Sequence, residues 1–318
     1  MFKNHRLWWR VGAIVCVTTS PLSSADLAFI TNQGSDTVSV IDVDSRNVTA
    51  EIEVGKEPAG VAVCQSANRV AISNPGDGTI SIISVPDLIE VDRHQVSDGP
   101  LAVVCGQDKL YVADWYAHTV SSYSLSNFQT LATTTVGQSP SGLALSSDGS
   151  RLHVSNRDSD SVYELDSESL KKLRSVSTGH RPFGVTLDSD DRRMYIANVR
   201  SNSVSVVDLE SYQVIAEVPV GDRPYAVALA QKNSRAFATN QYDNTLSVID
   251  TETLKVVTVL EVGEYPEGIF TDRDDRHVYV ANWFDNTVSI VDAMQLEIVD
   301  EVDVQDGPRA YGTPLFAE

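Results

Sequence analysis

The stretch YVANWFDNTVSIVD, Tyr279–Asp292, occurs earlier in the chain as FATNQYDNTLSVID (Phe237–Asp250) and as YIANVRSNSVSVVD (Tyr195–Asp208). Aligned on this element, seven copies begin at Leu27, Val70, Leu110, Leu152, Met194, Ala236 and Val278, spaced by 43, 40, 42, 42, 42 and 42 residues. A fixed period of that length means stacked copies of one supersecondary unit. Each copy holds four short runs, such as MYIAN, SVSVVD, QVIAEVPVG and YAVAL, rich in Val, Ile and Tyr and divided by Gly, Asn, Asp and Pro. Runs of this kind are strands joined by turns and are too short for helices. One copy is therefore a four-stranded antiparallel sheet.

Such a sheet has two apolar faces and needs neighbours on both, and stacking the copies in a ring leaves only short, protected edges. The chain enters at LAFITN, a second-strand text, and ends in GPRAYGTPLF, which matches first-strand texts such as RPYAVAL. The expected fold is all-β: a seven-bladed β-propeller of four-stranded antiparallel blades, its last blade closed by the N- and C-terminal strands. It forms a single domain over residues 26–318.

Residues 1–25 read as a secretory signal peptide. They hold Lys3, Arg6 and Arg10 with no acid, an apolar run from Val11 to about Thr19, and Ser23 and Ala25 at the spacing of a cleavage site. The apolar run is about half of the roughly 20 residues a spanning helix needs. Export then leaves Cys64 and Cys105 as the thiols of the mature chain, at equivalent places in adjacent copies. They are a candidate disulfide, with two free buried thiols as the alternative. The charge of −20 becomes −23 without the leader. That balance argues against nucleic acid, whose phosphates call for clustered Lys and Arg.

The YVAN, YIAN and ATNQYDNTLSVID texts resemble the YVTN-repeat family of bacterial propellers, including YncE-like exported proteins, over all of the mature chain. The resemblance implies the propeller fold. It leaves function open, because related propellers act as binding proteins, as lactonases and as large subunits of periplasmic amine dehydrogenases.

Comparing the copies with one another separates scaffold from site. Asn closes the second strand in six copies (Asn32, Asn74, Asn156, Asn198, Asn240, Asn282), with Asp114 in the third, and Thr or Ser follows five residues later in all seven. Asn and Asp are expected to bond their own turn backbone two residues on. Asp42, Asp166, Asp208, Asp250 and Asp292 are expected to form the next turn. A Pro heads every first strand, from Pro58 to Pro308, and Gly or Ala two residues on lets the chain approach the crowded centre.

The residues that differ between copies lie on loops that a propeller brings to one mouth of its channel. They give the candidate ligand- or partner-binding set Trp115, Tyr116, Arg157, His180, Arg181, Phe183, Arg223, Tyr225, Tyr242, Tyr265, Glu267, Trp283, Phe284 and Arg309. Aromatic residues and Arg are the types that dominate binding hot spots. No catalytic residue and no metal or cofactor site is assigned. The histidines lack metal-motif spacing, and G-x-S-x-G, P-loop, dinucleotide and C-x-x-C-H motifs are absent.

The expected function is that of an exported, monomeric, non-enzymatic binding or scaffold protein, set in the bacterial periplasm or secreted. Its mouth takes a small ligand or a periplasmic partner protein, and the acidic surface favours a basic partner, a redox protein such as a small c-type cytochrome among them. No membrane association is expected once the leader is cleaved. The alternatives are a lactonase-like hydrolase using Arg309, Glu267, His180 and Arg181, or a propeller subunit of an amine-dehydrogenase-like complex.

Overall fold

A computed structural model describes residues 26–317; the signal-peptide expectation lies outside the described residues. Seven sheets form the ring, each built on four antiparallel strands; in six they run in sequence order from the axis outward, one of these gaining a parallel fifth strand, and the seventh takes its inner strand from the C-terminus. Blade 5 is typical: Pro182–Leu187 is innermost, followed by Arg193–Asn198, Ser203–Asp208 and Gln213–Pro219. Blades 2, 3, 4, 6 and 7 start at Gly60, Pro100, Pro140, Pro224 and Pro266. First strands of successive blades pack on one another around the axis. The second and third strands are almost wholly buried and the fourth alternates, as in Lys255–Glu261, because only the outermost strand faces water. No helix among the described residues is long and apolar enough to cross a membrane.

Blade 1 is closed by both ends of the chain. Its three outer strands are Leu27–Asn32, Thr37–Asp42 and Asn47–Glu53, and the C-terminal segment supplies the inner position. That inner strand is interrupted. Pro308 bridges Asn32 and Leu315–Phe316 pairs with Leu27–Ala28, whereas Tyr311–Thr313 swings away to run parallel to Gly60–Cys64 of blade 2. Gly312 makes the excursion at φ 130°, where a Cβ would strike the Val61 carbonyl at 2.2 Å. The C-terminus thus ties two blades rather than one. A disulfide between Cys64 and Cys105, Cα atoms 5.2 Å apart, links blade 2 to blade 3.

The recurrent residues are scaffold, with one change of role. Five of the Asn side chains donate across the hairpin to two hydroxyls of the third strand instead of capping their own turns. Asn282, for example, bonds Thr287 at 3.0 Å and Ser289 at 2.8 Å, and Asn32, Asn74, Asn198 and Asn240 repeat the pattern. They are fully buried, so bonding turn amides at the surface would leave the inner hydroxyls without partners. Asn156 departs from this: its Oδ1 accepts the Gly137 amide at 2.9 Å. Asp114 alone makes the expected turn, accepting from the Tyr116 and Ala117 amides. The Asp residues ending third strands accept from backbone amides three residues on, as in Asp208 with Ser211 at 2.8 Å. At the axis a Cβ on Gly142 would lie 2.4 Å from the Phe183 carbonyl, and one on Gly184 2.8 Å from Ala226 Cα.

Candidate functional site

Each first strand begins with a loop residue, the Pro, and then a residue whose side chain turns toward the axis. The residue before the Pro is held at positive φ in six blades: Glu57 (53°), Ser139 (51°), Arg181 (56°), Arg223 (52°), Tyr265 (58°) and Gly307 (68°). Its amide is fixed by a side-chain acceptor, Asn202 for Arg223 and Asn244 for Tyr265, at 3.1 and 3.0 Å. Glycine tolerates this conformation, whereas a residue with a Cβ pays about 1–2 kcal/mol. Sequence spacing gave no sign of it, since a residue before Pro ordinarily stays extended.

The residues after the Pro are the axial ones, and they are buried rather than exposed. Phe183 and Tyr225 pack as a tilted pair with centroids 4.2 Å apart, and Tyr311 closes a triangle with them at 5.3 and 5.6 Å. Tyr311 fills a position where other blades carry Val, Leu or Ile, a substitution visible in GPRAYGT. Its hydroxyl donates to the Phe183 carbonyl at 3.3 Å. Burial keeps the Tyr225 and Tyr311 phenols protonated, far above their ordinary value. This plug splits the channel in two.

Above the plug Glu267 and Arg309 form a buried bridge at 2.6 Å. The second Glu267 oxygen accepts from Gln241 at 2.9 Å, and Arg309 also donates to the Tyr225 hydroxyl. Burial raises the Glu267 pKa, with Arg309 opposing it. Burial works against the Arg309 charge, but Glu267 and Tyr225 together outweigh it and hold its pKa above the ordinary value.

The mouth over this floor is a cavity of about 390 Å³. It gathers nine of the fourteen expected residues: Trp115, Tyr116, Arg157, Phe183, Arg223, Tyr225, Tyr265, Glu267 and Arg309. Gln33, Glu57, Leu101, Val199 and Gln241 join them; these were not singled out in the sequence because their types are plain. The other five expected residues stand outside. His180 is exposed and bonds Asp160 at 2.7 Å. Arg181 lies 3.7 Å from Asp158, which also binds Arg157 at 2.8 Å. Tyr242 lies beneath the Arg223 guanidinium at 4.0 Å, and Trp283 and Phe284 form an edge pair against Tyr265. Arg157 covers Trp115 at 5.2 Å, and burial lowers its pKa.

The opposite mouth is a larger well of about 880 Å³, which the comparison of repeats had not anticipated. Its wall is the inner strands' aliphatic side chains, including Val104, Leu145, Leu187 and Leu229, with Tyr311 as its floor. The hydroxyls of Thr186 and Thr271 on this wall donate to carbonyls of the neighbouring blade 6, Val227 and Leu229, at 2.6 and 2.8 Å. Loop residues, among them Asp148, Asp272, Arg273 and Asp275, also border this well, whereas the expected aromatic and Arg residues gather at the smaller mouth.

Residues 154–275 match the model of the YNCE-like β-propeller family. A comparison with curated proteins gives no significant match. Among solved structures, hydrazine synthase of Kuenenia stuttgartiensis superposes with a TM-score of 0.75 at 18% identity, covering 85% of this chain and 92% of that one. A functionally unknown protein from Desulfotomaculum acetoxidans DSM 771 gives 0.77 at 13% identity, covering 90% and 99%. The dihydro-heme d1 dehydrogenase NirN in complex with DHE gives 0.67 at 16%, covering 89% and 74%. At these identities the likeness is one of fold.

Proposed function

We propose that the chain is an exported, non-enzymatic binding propeller, monomeric, whose loop face around the channel recognises a small ligand or a partner protein in the periplasm or outside the cell. The observation that carries this is the mouth cavity, where three arginines and the rings of Trp115, Tyr116 and Tyr265 converge in a chain of net charge −20. Its volume falls in the range of small-molecule sites, about 300–1,000 Å³. The floor is internally bonded, Glu267, Arg309, Gln241 and Tyr225 being joined to one another, and a preformed site loses less on binding. NirN, described in complex with DHE, shows that a protein of related fold holds a ligand.

A hydrolase reading receives less support. A general base must reach a water and be free to take its proton, and Glu267 is buried and ion-paired to Arg309 while His180 stands outside the cavity. The test is retention from periplasmic extract by the native protein and by a Trp115→Ala, Arg223→Ala, Tyr265→Ala variant, with bound proteins and small molecules identified by mass spectrometry. Material lost with the variant supports the mouth as the binding face. Identical retention by both sinks the proposal.

A further inference from the structure

The charge at the mouth is unevenly compensated. Arg309 is neutralised by Glu267. Arg157 and Arg181 share one carboxylate, Asp158. Arg223 forms no ion pair among the described residues; its guanidinium lies over the Tyr242 ring with its donors unspent. Within the cavity, Arg157 and Arg223 of blades 4 and 6 are therefore the incompletely compensated charges. On blade 2, across the ring, stands Glu57.

The backbone at Arg223 has the positive φ that the residue before the Pro also adopts in five other blades. Leu170 and Tyr212 also sit at positive φ, at turns where their side chains are buried and packing offsets the strain. Arg223 is exposed, so no such packing offsets its own. The rings of Trp115 and Tyr265 line the same cavity as flat, largely apolar surfaces. The space suits a molecule of one or two fused rings.

We infer that the mouth takes a small planar organic anion, an aromatic or conjugated monocarboxylate, with its carboxylate toward Arg157 and Arg223 and its ring against Trp115 and Tyr265. This rests on the mouth being the binding face. Guanidinium recognises a carboxylate through paired, charge-assisted hydrogen bonds, and aromatic walls hold a ring by offset or edge contact. Glu57 orients the ligand by repelling its charged end.

The chain carries its own reporters, since Trp115 and Trp283 are the two tryptophans among the described residues and both lie on this face. Tryptophan fluorescence is titrated with 1-naphthoate and benzoate, and with 1-naphthamide, 1-naphthylmethylamine and cyclohexanecarboxylate as controls. The expected result is saturable quenching by 1-naphthoate that vanishes in Trp115→Phe. The amide, the amine and the non-aromatic acid bind at least about tenfold more weakly. Arg223→Gln weakens 1-naphthoate by about tenfold with an unchanged melting curve, and Glu57→Gln tightens it a few-fold. Equal affinity for amide and carboxylate, or an unaffected Arg223→Gln, overturns the inference. Absence of saturable binding by both carboxylates also overturns it, while the retention experiment decides separately whether the mouth is a binding face.

Discussion

Replacing Glu267 by Leu tests the account of the channel floor. In the native chain Glu267 is 4% exposed, and Arg309 meets it at 2.6 Å with its side chain 15% exposed. Removing the carboxylate leaves a buried guanidinium with the Tyr225 hydroxyl as its remaining partner. Breaking a buried pair from one side costs about 3–5 kcal/mol, which for a chain of this size lowers the melting temperature by roughly 6–10 °C. Arg309→Met strands the acid instead and should cost a similar amount. The double variant is the informative one. Burial raises the Glu267 pKa even with Arg309 in contact, so desolvation offsets much of what the pairing contributes. Glu267→Leu, Arg309→Met should therefore fall within about 1–2 kcal/mol of the native protein, the residue of the loss coming from Gln241, which forfeits its acceptor. Thermal and urea unfolding of the four proteins form a complete cycle. A double variant as unstable as the two single losses added together would refute the reasoning, as would a Glu267→Leu loss below about 1 kcal/mol.

Buried His153, stacked on Tyr212 and surrounded by Glu164, Arg174, Arg151 and Asp191, has its pKa lowered to about 4 by burial. A depressed histidine favours the folded state above pH 6.5, and that contribution is lost as pH falls toward 4; urea unfolding should lose about 3 kcal/mol across this window, a slope that His153→Gln flattens. The Cys64–Cys105 bridge closes a separation of 41 residues, so Cys64→Ala, Cys105→Ala should lose about 4 kcal/mol by chain entropy, read as a lower midpoint in non-reducing calorimetry. A Cβ on Gly263 would lie 2.5 Å from Asn282 Cγ, so Gly263→Ala should destabilise by about 1–3 kcal/mol in urea titration, with no effect if the Asn can shift aside freely. Arg223→Gly should stabilise by about 1 kcal/mol in the same assay through relief of the positive φ while weakening 1-naphthoate binding by about tenfold or more.

The repeat made the ring legible because a sheet with two apolar faces admits few closures, and the period fixed how many blades share it. The mouth was partly legible by subtraction: once YVAN and the Asn, Asp and Pro positions were set aside as scaffold, the aromatic and Arg residues left over fell largely on one cavity. Depth was not legible. Phe183 and Tyr225 read like Trp283 and Phe284 in the text, yet the first pair is buried on the axis and the second stands on the rim. The difference follows from which side of the Pro, or which hairpin tip, carries the residue. The Asn bonding pattern escaped because the same amide can serve a turn or a neighbouring strand, and burial decides between them. The lower well was not legible because much of its wall is inner-strand aliphatics that every blade shares.

The division of labour within a blade explains why the mouth can vary without loss of the fold. The buried Asn and the close-packed Gly of the preceding loop hold the hairpin by contacts that do not involve the residue before the Pro. That residue contributes a positive φ, which glycine adopts at least cost and which Gly307 does adopt in blade 1. Arg223 and Tyr265 occupy the same conformation at a conformational disadvantage, and neither is fully buried in return. A chain selected for stability alone would drift toward glycine there. The retained side chains point over a cavity whose floor is already satisfied internally, so their unspent donors and ring faces are directed at whatever enters from solution.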